Sequence, residues 1–196
     1  MSAVNIAVLA SGTGSNFRRL VDAERQGQLG DGKVRLLVSD RPDAPVIKLA
    51  ASMGISFFAK NPKMLGGKEA WEQQVREELA TASIDLVVLA GFMRLIGPVL
   101  LNAYRGKMIN LHPSFLPEFK GKDAIGQALV AGVPETGVSV HYVSEALDGG
   151  EVIDQVRVRM IPGEDRDTLE ARIHAVEHEL LPKVVKNLCD MLIKEK

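Results

Sequence analysis

Two polar residues, Asn110 and His112, lie near the end of an apolar segment that Pro113 interrupts. Residues two apart on a β-strand project to the same side, so the amide and the imidazole share a face while Leu111 faces the packed side. In an open α/β sheet the ligand crevice lies beyond the carboxyl ends of the strands. We therefore predict that Asn110 and His112 face a substrate site.

An acidic residue that could orient the imidazole follows in the turn Leu147-Asp148-Gly149-Gly150. A carboxylate beside His112 would favour the imidazolium, and with the amide donor this makes a site that can stabilise an oxyanion and pass a proton. Taken singly, His112 could also be a hydrogen-bonded structural residue, and Asp148 could simply be part of a turn. The sequence has no G-x-S-x-G elbow, and Cys189 lies near the C-terminus, so direct attack by a substrate amine on a carbonyl is favoured.

A glycine turn, Ser11-Gly12-Thr13-Gly14-Ser15-Asn16, follows the first apolar segment. Between a strand and a helix, such a turn aims backbone N–H groups and the helix dipole at one point, which suits a phosphate. Phe17 stands where a dinucleotide fingerprint needs a third glycine, and no P-loop sequence is present. The turn predicts either a monophosphate site, with donors from Ser15 and Asn16, or a tight capped turn without a ligand.

A second histidine pattern, His174-Ala175-Val176-Glu177-His178, matches the H-x-x-E-H zinc motif. Both rings would share one helix face, but no further His or Cys cluster completes a site, so we expect no metal. Glu177 is instead expected to bind a substrate, the alternative being a solvated helix face.

The elements that position these residues alternate between strands and helices. Three continuous apolar segments are typical of strands buried on both faces: 4–10, 34–39 and 85–90. Two segments between them have helical spacing: 44–53 and 68–82. The segment 61–67, with proline and two glycines, is expected to be the most mobile. This half of the chain predicts parallel strands.

The pattern changes beyond Gly106, where three strand-like segments surround one helix near 122–131: 108–111, 137–143 and 152–160. Asp165 or Asp167 can cap a long amphipathic helix that follows. The fold class predicted is α/β, a Rossmann-like open mixed sheet, parallel in its N-terminal half and partly antiparallel in its C-terminal half, with helices on both faces.

The composition limits which classes of protein the chain can belong to. The chain has 196 residues, 46% of them hydrophobic, which suits one folded domain. A net charge of −1 with interspersed charges predicts no nucleic-acid or membrane partner. A single cysteine excludes an internal disulfide, and neither a signal peptide nor a membrane-spanning segment is evident. We expect a cytoplasmic protein, either a monomer or a homodimer.

Four stretches carry a resemblance to a known family: 10–16 (ASGTGSN), 90–94 (AGFMR), 110–117 (NLHPSFLP) and 147–150 (LDGG). Along essentially its whole length the chain resembles the phosphoribosylglycinamide formyltransferase family, folate-dependent enzymes of purine synthesis. The resemblance implies a formyltransferase fold over 1–196, with a phosphate-binding half (1–100) and a folate-binding and catalytic half (101–196). It also implies formyl transfer from 10-formyltetrahydrofolate to the amine of 5-phosphoribosylglycinamide.

The resemblance further implies roles for individual residues. Asn110 and protonated His112 would stabilise the tetrahedral oxyanion, and Asp148 would sustain the imidazolium. The phosphate and the sugar would be bound by Gly14, Ser15, Asn16 and, for the sugar hydroxyls, Glu177. The folate would contact Lys68, Met93, Arg94, Leu95, Ile96, Asn110, Ser144, Glu145, Ala146, Leu147 and Asp148. Lys68 and His174 stand where the family has Arg and Gln, which predicts a less oriented anion contact at Lys68.

The sequence leaves three alternative functions open. Formyltetrahydrofolate deformylases are similar around the Asn-x-His strand but have a second histidine where this chain has Pro113. Methionyl-tRNA formyltransferases are similar in their catalytic part but need a basic surface, which the net charge of −1 does not favour. A non-catalytic phosphate-binding domain would use only the glycine turn and leaves Asn110, His112 and Asp148 unexplained.

Overall fold

The computed structural model describes residues 3–195, and this part of the chain forms one seven-stranded sheet with helices on both faces. The strands are β1 (Val4–Leu9), β2 (Gly32–Ser39), β3 (Ser56–Ala59), β4 (Leu86–Ala90), β5 (Met108–His112), β6 (Glu135–Tyr142) and β7 (Val152–Arg159). The α-helices are α1 (Ser15–Arg25), α2 (Pro45–Met53), α3 (Lys68–Thr81), α4 (Pro98–Ala103), α5 (Ala124–Ala131) and α6 (Arg166–Lys194). A short 3₁₀ helix, Pro62–Leu65, precedes α3.

The strand order across the sheet is β3-β2-β1-β4-β5-β6-β7. The first five strands in this order are parallel, whereas β6 is antiparallel to β5 and β7 is antiparallel to β6. The predicted mixed α/β sheet is therefore confirmed. Between β1 and β4 the chain changes its direction of progress across the sheet, and ligands of open α/β sheets bind at the carboxyl ends of strands at such a point.

The central strands β1 and β4 are mainly apolar because both faces of the sheet are covered there. Along β1, Ile6 and Val8 pack against Phe17 of α1 in a core that α6 also covers. Leu9 faces the other way and joins Trp71 of α3 in a second core. A strand with a helical layer on each side has no solvated face, which explains the continuous apolar segments in the sequence.

Short elements account for the differences between the predicted and observed fold. The strand β3 and the helix α4 were not predicted, because four and six residues are too few to establish a period. The segment 61–67 contains the 3₁₀ helix, and Asn61 caps it by accepting a hydrogen bond from Lys63 N at 3.0 Å. Asp165 is the N-cap of α6, as expected, and accepts from Thr168 N at 2.9 Å. No helix within residues 3–195 is long and apolar enough to cross a membrane.

Candidate active site

The side chains of Asn110 and His112 lie on the same face of β5, at the carboxyl end of the strand. Ile109 and Leu111 alternate with them and pack into the core on the opposite face. This alternation follows from the two-residue period of a strand. The predicted common face of Asn110 and His112 is confirmed, because both side chains approach the carboxylate of Asp148.

Asp148 reaches this pair from the turn between β6 and β7. Its Oδ1 accepts a hydrogen bond from Asn110 Nδ2 at 3.4 Å, and its Oδ2 accepts from Gly121 N at 2.8 Å. The same Oδ2 lies 3.6 Å from His112 Nδ1. The backbone of Asp148 has a φ of 44°, an unfavourable conformation for a residue with a side chain, which these contacts must stabilise. The structure thus brings the three predicted catalytic residues together.

The partners of His112 define how its two ring nitrogens are used. Nε2 lies 2.9 Å from Phe119 O, and a carbonyl oxygen only accepts, so Nε2 carries a hydrogen and donates it. The other ring nitrogen, Nδ1, therefore faces Asp148.

The carboxyl group of Asp148 has a lowered pKa. Burial raises this pKa, but His141, the Gly121 N–H and the charge of His112 lower it by more, and the pKa lies below its ordinary value. Asp148 is consequently a carboxylate at neutral pH.

A second buried imidazole, His141 of β6, belongs to the same cluster and was not predicted. The register of β5 and β6 places it opposite Asn110. Its Nε2 lies 3.1 Å from Asn110 Nδ2 and 3.6 Å from Asp148 Oδ1, while its Nδ1 donates to Tyr142 O at 2.8 Å. Nε2 accepts from the amide when the ring is neutral and donates to the carboxylate when it is charged. The signal in the sequence was a polar residue inside the strand predicted at 137–143.

The glycine turn leads from β1 into α1 in a conformation that glycine alone adopts readily. Gly14 is the N-cap of α1 with a φ of 80°, and a Cβ at this position would collide with the side chain of Val46. Within residues 3–195 no side chain caps α1, so its first N–H groups remain available to an anion. Asn16 Nδ2 donates to Glu177 Oε2 at 2.9 Å, which joins the predicted phosphate turn to the predicted sugar ligand.

Glu177 is buried and shares its Oε2 between Asn16 and His174, whose Nδ1 lies 2.8 Å away. The hydrogen bond with Glu177 raises the pKa of His174 above its ordinary value, against the opposing effect of burial, and Glu170 adds to the increase. Burial lowers the pKa of the neighbouring His178. In the described part of the chain, no group of three or more His, Cys, Asp or Glu residues could hold a metal ion. The H-x-x-E-H pattern here forms an imidazole–carboxylate pair beside the glycine turn.

The two loops predicted to bind folate, 93–96 and 144–148, present apolar side chains to solvent. Met93 is 66% exposed and Leu95 is 64% exposed, and Leu147 exposes half of its surface. Large apolar side chains that remain exposed around a polar cluster are typical of a ligand site. These loops therefore present exposed apolar side chains beside the polar cluster.

Lys68, at the start of α3, is connected to the first of these loops through Glu72. Its Nζ lies 3.8 Å from Glu72 Oε1, and the same oxygen accepts a hydrogen bond from Gly97 N at 2.6 Å. Gly97 is the N-cap of α4 and directly follows the loop. The lysine therefore lies beside the end of the loop that was predicted to contact the folate.

The fold and this cluster define an α/β enzyme in which an amide, two imidazoles and a carboxylate meet at the strand ends. The chain belongs to the formyl transferase family, whose sequence model matches residues 4–185.

Named relatives give the particular enzyme within this family. The chain is 46% identical to the phosphoribosylglycinamide formyltransferase of Bacillus subtilis over 93% of both chains. It is 37% identical to the enzyme of that name from Escherichia coli, over 97% of this chain and 90% of the relative. Among solved structures, glycinamide ribonucleotide transformylase 1 from Geobacillus kaustophilus is 53% identical, with a TM-score of 0.93 over 96% of this chain and 100% of the other.

Proposed function

We propose that this chain is a phosphoribosylglycinamide formyltransferase. It transfers the formyl group of 10-formyltetrahydrofolate to the amine of 5-phosphoribosylglycinamide, giving formylglycinamide ribonucleotide and tetrahydrofolate in purine biosynthesis. The observation that carries the proposal is the convergence of Asn110, His112 and Asp148 in one buried cluster of a formyl transferase chain. An amide, an imidazole and a carboxylate in contact are the groups that acyl transfer to an amine requires.

Asn110 and His112 stabilise the tetrahedral intermediate that forms when the substrate amine attacks the formyl carbon. Asn110 Nδ2, whose two N–H groups face Asp148 and His141 in this structure, turns one of them to the oxyanion. His112 Nε2–H, which donates to Phe119 O in this structure, supplies the second. Asp148 Oδ2, 3.6 Å from His112 Nδ1, supplies the negative charge that the protonated ring faces. The intermediate collapses by breaking the bond from carbon to N10. His112 gives its Nε2 proton to N10 of the leaving folate and takes up the proton that the amine loses, so the enzyme returns to its starting state.

The acceptor substrate is held at the glycine turn. The backbone N–H groups at the start of α1, with the side chains of Ser15 and Asn16, bind its phosphate, and Glu177 binds its sugar hydroxyls. Gly14 allows the close backbone approach that this requires. His174 contacts Glu177 at 2.8 Å and so lies beside the sugar, where it replaces the family's glutamine.

The formyl donor lies between the 93–96 and 144–148 loops, with Lys68 beside the first of them. Exposed Met93 and Leu95 supply the apolar surface for its rings. Each substrate site uses residues from both halves of the chain. The acceptor site does so because Asn16 bonds to Glu177, and the donor site because its two loops, 93–96 and 144–148, come from different halves. We propose that residues 1–196 work as one domain in the cytoplasm, as a monomer or homodimer, on these two small molecules.

Consumption of 10-formyltetrahydrofolate, with and without 5-phosphoribosylglycinamide, tests the function. We expect turnover only when the amine is present, and the acceptor without its phosphate to have a much higher KM. Turnover that ignores the amine would assign the chain to the hydrolytic deformylases, and an absence of turnover would leave a binding domain. A phosphorylated acceptor that reacts no better than the unphosphorylated one would exclude the glycine turn as the phosphate site.

A further inference from the structure

A buried carboxylate, Asp40, connects the carboxyl ends of three neighbouring strands. It follows β2 and is only 4% exposed. Its Oδ1 accepts a hydrogen bond from Ser11 Oγ at 2.6 Å, and Ser11 follows β1. Its Oδ2 accepts from Arg94 Nε at 2.6 Å, and Arg94 lies in the loop after β4. Both carboxylate oxygens are therefore used by donors from two other strand ends.

The contact with Ser11 extends to the same loop. Ser11 Oγ gives its only hydrogen to Asp40, so its lone pairs are directed elsewhere, and one accepts from Met93 N at 3.0 Å. The carboxylate therefore acts on two consecutive loop residues, on the backbone of Met93 through Ser11 and on the side chain of Arg94 directly. Short hydrogen bonds to a buried carboxylate are stronger than neutral ones.

The backbone of the glycine turn, which begins at Ser11, is held by a different set of bonds. Ala10 N donates to Val38 O at 3.0 Å, Ser11 N donates to Gly91 O at 3.0 Å and Val46 N donates to Gly12 O at 3.1 Å. All of these are backbone bonds, and none involves the Asp40 side chain. Loss of the Asp40 charge should therefore disturb residues 93–96 and leave the turn in place.

We propose that Asp40 is a positioning residue for the formyl donor. It sets the conformation of the loop that presents Met93 and Leu95, and it does so without contacting the reacting atoms. The inference rests on the proposed function in assigning residues 93–96 to the folate. It adds a specific determinant of folate affinity, a buried carboxylate that follows β2, a strand to which neither substrate site belongs.

The test is the steady-state kinetics of Asp40→Asn with each substrate varied in turn. Asparagine keeps the shape but can present an acceptor to only one of the two donors, so its NH₂ opposes either Ser11 Oγ–H or Arg94 Nε–H. We expect the KM for 10-formyltetrahydrofolate to rise by about ten- to a hundredfold, the range for a lost bond to a charged group. The KM for the amine substrate should stay within about twofold. Asp43→Asn, an exposed site in the same turn, is the matched control and should behave as the unmodified enzyme.

A second comparison separates positioning from general destabilisation. In an Arg94→Gln background, Asp40→Asn should raise the folate KM by much less than it does alone, because the direct contact between the two residues is already lost and only the contact through Ser11 remains. Three outcomes would refute the proposal. The increases in folate KM from the two substitutions could be fully additive, the KM values for both substrates could rise equally after Asp40→Asn, or the folate KM could stay unchanged. If Asp40→Asn shows no thermal unfolding transition, Ser11→Ala carries the same test through the Met93 contact alone. Turnover by the unmodified enzyme is measured first, so failure of the proposed function is recognised separately.

Discussion

Replacing Asp148 with asparagine keeps the size of the side chain and removes the charge that faces two imidazoles. The carboxylate lies 3.6 Å from His112 Nδ1 and 3.6 Å from His141 Nε2, and its side chain is only 10% exposed. Asparagine Oδ1 can still accept the hydrogen bond that Gly121 N makes to this residue. The substitution therefore keeps the side chain and removes the charge, together with the acceptor that Asp148 Oδ1 offers to Asn110 Nδ2.

The expected size of the effect follows from these distances. Two unit charges 3.6 Å apart attract by about 4–5 kcal/mol at an effective dielectric constant of about 20. Asp148→Asn removes most of this attraction to the charged His112 ring that stabilises the intermediate. At about 1.4 kcal/mol for each factor of ten, kcat should fall by about 10²- to 10⁴-fold, the range typical of acid–base groups.

The assay is the rate of tetrahydrofolate formation with both substrates saturating, with thermal unfolding measured on the same preparations. Asp154→Asn is the matched control, because Asp154 lies on β7 and pairs with the exposed Lys183 at 2.9 Å. It should retain normal turnover. A folded Asp148→Asn enzyme with a kcat within about tenfold of normal would refute the mechanism.

Three further perturbations follow from the structure. Gly14→Ala should raise the KM for the amine substrate and destabilise the fold by about 1–3 kcal/mol, measured by kinetics and urea unfolding, because its φ is 80° and a Cβ would collide with its neighbour. Glu72→Gln should cost about 1–3 kcal/mol in urea unfolding, because the buried carboxylate accepts from both Gly97 N and Leu100 N and glutamine offers only one acceptor oxygen. His174→Gln should lower the melting temperature most at about pH 6 and least at about pH 9, because the pair with Glu177 needs a charged ring.

Each of these has an outcome that would contradict it. The raised pKa of His174 means that its pairing stabilises the fold fully below the ordinary value of 6.5 and loses this effect as the pH rises through the raised pKa. A melting-temperature difference that grows with pH would be the wrong sign. Unchanged urea midpoints in Gly14→Ala or Glu72→Gln would show that the turn or the α4 cap relaxes without cost.

The strands and long helices could be predicted because their patterns are local. β1, β2 and β4 are continuous apolar segments bounded by turn residues, and each was found close to its predicted position. The antiparallel order of β5, β6 and β7 was predicted only as a tendency. β3 was missed because it is four residues long and two of its residues are exposed, which leaves no period to read.

The sequence by itself determined that Asn110 and His112 share a face, because that follows from the strand period, and that Gly14 allows a turn into a helix. It did not reveal His141, because strand register decides which residue of β6 lies opposite Asn110. Nor did it reveal that Asp40 joins Ser11 to Arg94, or that Asn16 meets Glu177 across 161 residues. Those contacts depend on how distant elements pack, since periodicity constrains the direction of a side chain but not its partner.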